Sequence, residues 1–442
     1  MKKKLCVCIP TYNRPDNISW KLYNELDVYN KYNIDVYIWD SSPDNRTEEV
    51  VLKYKEKINN LHYVKIPSSV HSNKKIYMIF QNADLISKYK YIWTCTDALS
   101  WQEVVYSSIL DAANKDKYDF IIPDNRDVEN IGTKEYSDAN ILFHDFCWHM
   151  TLYGATVVRC DTILRNVDWE SFEKKYFVKN MINFSHLAFY FEKIAELDNF
   201  NALHISYKDV VVISRAFVIR SGWHKDVFDV WLRFWPDTIK ALPDIYKDKD
   251  EVIQRGNKNA KVFSNSNLLG YRCANVLNSR SFSEYSDVIR KYSGADYNYA
   301  KTLVSKPAVF CKKPENIIRL LLHHINMVLL LKNFCKEYKN LYICGYGEYY
   351  EQIEKMLRLF RVKPDGVIRF PLELKARNTF NVDEYEMEDF EKLDDNTGII
   401  LAVELTCLKY MQEMHMLDRW PKKNVFSEYF FKRKGFRTYR EE

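Results

Sequence analysis

Four polar stretches stand directly behind apolar runs or at the start of a predicted helix. Thr11, Tyr12, Asn13 and Arg14 follow Leu5-Cys6-Val7-Cys8-Ile9-Pro10, Asp40 follows Asp35-Val36-Tyr37-Ile38-Trp39, and Thr96-Asp97 follows Tyr91-Ile92-Trp93-Thr94-Cys95. Hydroxyl, guanidinium and carboxylate groups at such strand ends are placed to bind a polar ligand, because open α/β sheets take their ligands at the carboxyl ends of the strands. The fourth stretch is Ser72-Asn73-Lys74-Lys75. A lysine near a helix N-terminus adds its charge to the exposed N–H groups, a combination that holds phosphate. Plainer roles stand beside these. Asp40 can close an Asx turn ahead of a helix starting near Thr47, Asp97 can cap the helix after it, and lysines are common on surfaces.

The elements that would position these groups read as an α/β protein. Residues 5–9 are continuously apolar, the pattern of a strand buried on both faces in a parallel sheet, and Pro10 is expected to end it. A helix over 16–32 with Asp16 as N-cap, a strand over 35–39, a helix over 48–59 and a strand over 62–66 follow. Residues 74–87 read as one helix with Ile76, Ile79, Phe80 and Ala83 on a single face. Then come a strand over 91–99, a helix over 100–114, a strand over 118–123 and a polar loop over 124–140, a length typical of functional loops. A strand is expected at 154–159, a helix over 185–197 and a strand over 209–214. From Val227 to about Phe334 the pattern is helical, broken at Pro236 and Pro243. A second α/β unit begins at Leu341-Tyr342-Ile343-Cys344-Gly345-Tyr346-Gly347, with a helix over 348–360, further strands within 362–370 and over 398–403, a helix over 405–420 and a short strand at 425–426.

The run Pro10-Thr11-Tyr12-Asn13-Arg14 resembles the first strand and loop of nucleotide-sugar-dependent glycosyltransferases, the family 2 type with a GT-A fold. The resemblance covers roughly the first half of the chain. It implies a GT-A domain over 1–225, a helical region over 226–337 and a small Rossmann-like accessory domain over 338–442. It further implies that Pro10, Thr11, Tyr12, Asn13 and Arg14 cradle a nucleoside-diphosphate-sugar donor, UDP-sugar favoured. Asp40 would then contact the base, while Asn73, Lys74 and Lys75 lie near the diphosphate. Thr96 and Asp97 stand where the family carries its D-x-D motif, which serves ribose and Mn²⁺ or Mg²⁺, hard cations suited to oxygen ligands. Here Asp97 is the motif's one carboxylate, since Thr96, Ala98 and Leu99 fill the neighbouring positions, and metal dependence is open. His224 fits the place of a C-terminal histidine ligand, and neutral imidazole suits that role. An inverting transferase also needs a group to take the acceptor's proton. Asp145 and His186 are the candidates, although each can equally be structural. The acceptor would be a glycan, a lipid-linked or a protein-linked sugar chain. A catalytically silent scaffold of the same fold is the alternative the missing carboxylates suggest.

Bulk properties set outer limits. A chain of 442 residues exceeds one ordinary core, and 47% apolar with 28% charged residues is a globular composition. A net charge of +5 is small for this length and argues against a dedicated nucleic-acid binder. The ten cysteines include no C-x-x-C pair, so reduced thiols in a cytoplasmic enzyme are expected. The apolar run after Lys2-Lys3-Lys4 is shorter than a secretory signal requires. No run reaches the 18–20 apolar residues or so of a membrane span. The basic stretch Lys432-Arg433-Lys434-Gly435-Phe436-Arg437 leaves room for contact with anionic lipid at the inner face of a membrane. Homo-oligomerisation is left open. The glycine pair Gly345/Gly347 has Tyr350 where a third glycine would complete a dinucleotide fingerprint, so a structural turn is the expected role.

Overall fold

The computed structural model describes residues 2–70, 72–124, 129–207, 213–214, 226–273, 275–293, 297–305, 328–345, 348–369, 380, 382–390, 393–402 and 417–426. The chain forms two compact units, one built from residues 1–212 and 220–312, the other from 213–219 and 313–442. The α/β class expected from the sequence is the class adopted. Each unit carries its own sheet.

Among the described residues the first unit's sheet has eight strands: β1 (Lys3–Thr11), β2 (Asp35–Asp40), β3 (Leu61–Lys65), β4 (Tyr89–Thr94), β5 (Phe120–Asp124), β6 (Lys134–Tyr136), β7 (Val157–Arg159) and β8 (Ala202–Ser206). Their order is β3-β2-β1-β4-β7-β5-β8-β6. Strands β3, β2, β1 and β4 are mutually parallel. Strand β7 runs antiparallel to both β4 and β5. The chain winds outward from β1 to β2 and β3, then returns to place β4 on the other side of β1. The order reverses between β1 and β4, and such a reversal opens a crevice at the carboxyl ends.

Pro10 does not end β1, which continues through it to Thr11. The Cys8 carbonyl accepts from the Cys95 N–H on the β4 side, and the Thr11 carbonyl accepts from the Ser41 N–H on the β2 side. Strand residues alternate sides, so the donor-less nitrogen of Pro10 faces the β4 side, where pairing has already stopped at Cys8 and Thr94. The proline is tolerated in a central strand because it sits where the two strands part.

Other boundaries moved for identifiable reasons. Helix α1 (Pro15–Lys31) starts one residue before Asp16, with Arg14 at the N-cap position and Pro15 in its first turn, where a fixed φ and a missing donor cost nothing. The next helix is α2 (Arg46–Lys55). The expected helix over 74–87 is two, α3 (Ser72–Phe80) and α4 (Ala83–Lys88), because the Asn82 side chain accepts from the Leu85 N–H at 3.0 Å and starts a new helix. The loop expected over 124–140 contains strand β6, and β8 lies where the sequence pattern marks no element. Pro236 does not break its helix. Residues Val230–Phe234 form a wider π turn leading into Trp235–Ala241, an insertion that accommodates helix irregularities. That helix packs Trp231 and Trp235 onto Phe184, with ring centres 5.5 and 5.4 Å apart. Phe234, Trp235 and Ile239 are thereby buried in the same core as Cys6, Cys8, Ile92 and Phe120 of the sheet.

Among the described residues the second unit has five parallel strands, Asn340–Cys344, Gly366–Arg369, Asp383–Glu386, Thr397–Leu401 and Val425–Phe426. The first lies between the second and fourth in the sheet. Helix Glu348–Phe360 follows the first strand, and Gly345 between them has φ +94°, a conformation that glycine adopts without strain. Gly347, the expected helix over 405–420 up to residue 416, and the basic stretch 432–437 lie outside the described residues. No described helix is long and apolar enough to cross a membrane.

Candidate functional site

At the crevice between β1 and β4 the Thr11 hydroxyl donates to Asp97 Oδ2 at 2.8 Å, and Arg14 Nη1 donates to Asp97 Oδ1 at 3.1 Å. Asp97 is buried, whereas 31% of the Arg14 side chain is exposed. Asp97 caps no helix, since the next one, Glu103–Asn114, begins after Gln102. The Thr96 hydroxyl accepts from the Ala98 N–H at 3.1 Å and tightens the turn.

Lys75 enters the same place from α3. Its ammonium donates to the Thr11 carbonyl at 2.5 Å and lies 5.8 Å from the centre of the Tyr12 ring. Burial pushes its pKa down to about 8, with the charges of Asp40 and Asp97 opposing the shift and Arg14 adding to it. An anion bound beside Lys75 stabilises the ammonium, so anion binding takes up protons near pH 8. Affinity for a probe such as inorganic pyrophosphate is expected to be highest below pH 8 and to fall as pH rises through it. Calorimetric titration from pH 6.5 to 9.5 reads this, and an unchanged affinity across that range would remove Lys75 from the site. With no anion bound the sign is opposite for folding. The unfolded chain keeps this proton to about 10.5, so Lys75 opposes folding below about 8, and the cost fades between the two values.

Asp40 is in register with Thr11 and Lys65 along the carboxyl edge. It is fully buried. Its Oδ1 accepts from the Ser42 N–H at 2.8 Å and its Oδ2 from the Tyr63 hydroxyl at 2.9 Å. This is the Asx turn that the sequence offered as the plainer role. Ser42 Oγ in turn accepts from the Asn13 N–H at 2.8 Å. Asn13 has φ +53°, a left-handed conformation that asparagine tolerates better than most residues. Asp40 thus shapes the Tyr12–Arg14 loop through Ser42.

The other candidates lie elsewhere. Lys74 turns towards Glu173, 3.8 Å away. Asn73 is buried between the Tyr153 hydroxyl, which donates to it, and the Ile182 carbonyl, which it contacts through its amide nitrogen. The Tyr153 ring lies 4.8 Å from that of His186. His186 is buried, its Nε2 is bonded to the Thr151 carbonyl at 3.0 Å, and burial lowers its pKa to about 4. It is therefore neutral at physiological pH. Asp145 accepts from the Tyr136 hydroxyl at 2.8 Å and has Lys134 and Arg255 at 3.5 and 3.9 Å. His224 lies outside the described residues.

A buried network missing from the sequence reading holds the Asp97 loop from behind. Lys21 and Glu25, one turn apart on α1, pair at 2.9 Å with both side chains fully buried. Lys21 donates to the Leu99 carbonyl at 2.7 Å, and Glu25 accepts from the Trp101 N–H at 2.7 Å and the Tyr106 hydroxyl at 2.9 Å. Tyr29 also donates to Glu25. A signal was present in the sequence. Glu25 falls within the stripe Ile18, Leu22, Glu25, Tyr29, which helical spacing turns to the core, and Lys21 lies one turn before it at the edge of that stripe.

The metal implied by the family resemblance does not fit these groups. Both oxygens of Asp97 already accept from Thr11 and Arg14, and Ala98 and Leu99 bring no oxygen side chain. Among the described residues no group of three His, Cys, Asp or Glu side chains could hold a metal ion.

Fold and site together define an α/β protein with a cation-lined crevice at the reversal point of its first sheet. No family model matches the sequence, and no curated protein matches it. Solved structures do. S. aureus TarS 1-349 in complex with UDP-GlcNAc shares 14% identity, covering 68% of this chain and 84% of that one, with a TM-score of 0.39. The mannosyltransferase PcManGT from Pyrobaculum calidifontis, in complex with GDP-Man and Mn²⁺, shares 15% over 71% and 82%, also at 0.39. Glucosyl-3-phosphoglycerate synthase from Mycobacterium tuberculosis, in complex with Mn²⁺ and UDP-glucose, shares 9% over 55% and 80%, at 0.35.

Proposed function

We propose that this chain is a glycosyltransferase that moves a sugar from a nucleoside-diphosphate donor, UDP-sugar favoured, to a glycan, lipid-linked or protein-linked acceptor. The observation that carries the reading is the meeting of Thr11, Arg14, Lys75 and Asp97 at the β1/β4 crevice. They come from three separate stretches of sequence, and they bring Lys75 and Asp97 to the Pro-Thr-Tyr-Asn-Arg motif, whose Arg14 with Lys75 gives two cations suited to a diphosphate. Pro10 opens the crevice, Thr11 to Arg14 form its floor, and Asp97 orients Arg14. Direct displacement with inversion is the proposed course. The protein contributes orientation of the two substrates and preorganised positive charge where the diphosphate departs.

No base is assigned to Asp145 or His186 in this proposal. The first is held by Tyr136 and flanked by two cations, and the second is buried and neutral. That same observation favours a second reading, a silent nucleotide-sugar-binding subunit. For the second unit we propose an accessory, Rossmann-like docking role.

One experiment addresses both readings. UDP, GDP and CMP and their sugars are screened by thermal shift, since a ligand of the native state raises its melting temperature, and donor hydrolysis is then followed without acceptor. A UDP-sugar is expected to stabilise the protein and to be slowly hydrolysed. Stabilisation with no hydrolysis, and no transfer to any acceptor, would establish the silent subunit instead. If no nucleotide shifts the melting temperature, both readings fall.

A further inference from the structure

We propose that the crevice binds the diphosphate of its ligand directly through Arg14 and Lys75, without a divalent cation, and that Asp97 holds the cationic frame instead of ligating a metal. The inference rests on the nucleotide-sugar reading but departs from the metal dependence the sequence resemblance implies.

Three observations converge. The first is the saturation of Asp97, which receives the Thr11 hydroxyl on one oxygen and Arg14 on the other. A hard divalent cation needs several oxygen ligands, and here it would have to displace both donors. The second is charge. A dication at Asp97 would sit beside the guanidinium bonded to that carboxylate, and near Lys75, whose charge already interacts with Asp97. Like charges this close repel one another in a partly buried site. The third is the spare capacity of Lys75. An ammonium has three donors. Apart from the Thr11 carbonyl and the Tyr12 ring, no described carboxylate lies within ion-pair distance of it. Arg14 likewise uses one nitrogen on Asp97 and keeps a third of its side chain exposed. Two cations with unused donors, converging at a crevice, are the complement of a diphosphate.

The test is equilibrium titration of the full-length protein with UDP and, separately, with inorganic pyrophosphate. Each titration is run in EDTA and in Mn²⁺. The expected result is that pyrophosphate and UDP bind in EDTA and that Mn²⁺, which both probes chelate in solution, brings no gain in affinity. Lys75→Met and Arg14→Gln should each weaken binding about tenfold or more, the loss of one charge-assisted bond, while Lys53→Met on an exposed surface changes nothing. Binding that appears only with Mn²⁺ overturns the inference and leaves the glycosyltransferase reading standing. Pyrophosphate binding in EDTA without binding of any nucleotide keeps the inference and removes that reading. No binding of either probe in either buffer overturns both. The wild-type comparison decides the question even if a variant fails to fold.

Discussion

Asp97→Asn is expected to lower turnover of the nucleotide-sugar donor by about 10² to 10³-fold, the usual cost of removing one preorganised electrostatic group. The asparagine keeps the shape and can still accept from Thr11. It loses the charge that orients Arg14, so the guanidinium is no longer fixed at the crevice mouth. Because the Arg14 side chain is partly exposed, its release into water costs little stability, and the fold should persist. Circular dichroism and thermal melting would verify that, and donor hydrolysis would measure the loss. Wild-type rates in a folded Asp97→Asn protein would show that the Asp97–Arg14 pair has no part in the chemistry.

Lys21→Met should have the largest effect on stability. It leaves Glu25 fully buried without its cation, and breaking a buried pair by removing one partner costs about 3–5 kcal/mol. The Leu99 carbonyl also loses its donor. Urea denaturation should register that loss. The double variant Lys21→Met/Glu25→Gln should recover part of it, because the amide oxygen still accepts from the Trp101 N–H and no uncompensated charge remains. A double variant as unstable as the sum of the two single ones would mean that the two side chains are not energetically coupled.

The frame of the first unit was legible because buried parallel strands leave an unmistakable mark. The apolar runs ending at Ile9, Trp39 and Cys95 mark β1, β2 and β4, and their polar successors mark the carboxyl ends of those strands. Thr11, Arg14 and Asp97 follow directly behind those runs, and Lys75 stands at the start of a predicted helix. What the sequence hid was partnership. Asp40 suits a ligand or a turn equally by its residue type and position, and its bonds to Ser42 and Tyr63 form the turn. Lys21 and Glu25 stand at the spacing of a helical pair, but nothing local says that Leu99 and Trp101 return to meet them. Strand β8, with His204 at its centre, lacked the apolar continuity that marks the inner strands, and the π turn before Pro236 has no sequence signature at all.

Helix α1 begins immediately after Arg14 and two turns later carries Lys21 and Glu25, which grip the backbone on the far side of Asp97. Residues 14–29 and 94–106 are therefore a matched set, although some 70 positions separate them. A chimera assembled from two homologous chains with its junction between these segments would seat one parent's Lys21 and Glu25 against the other parent's Leu99–Tyr106 turn. Unless both parents share the same buried contacts, the hybrid would inherit an intact sheet and a displaced Asp97. Recombination of this domain should be tolerated outside that interval far more readily than within it.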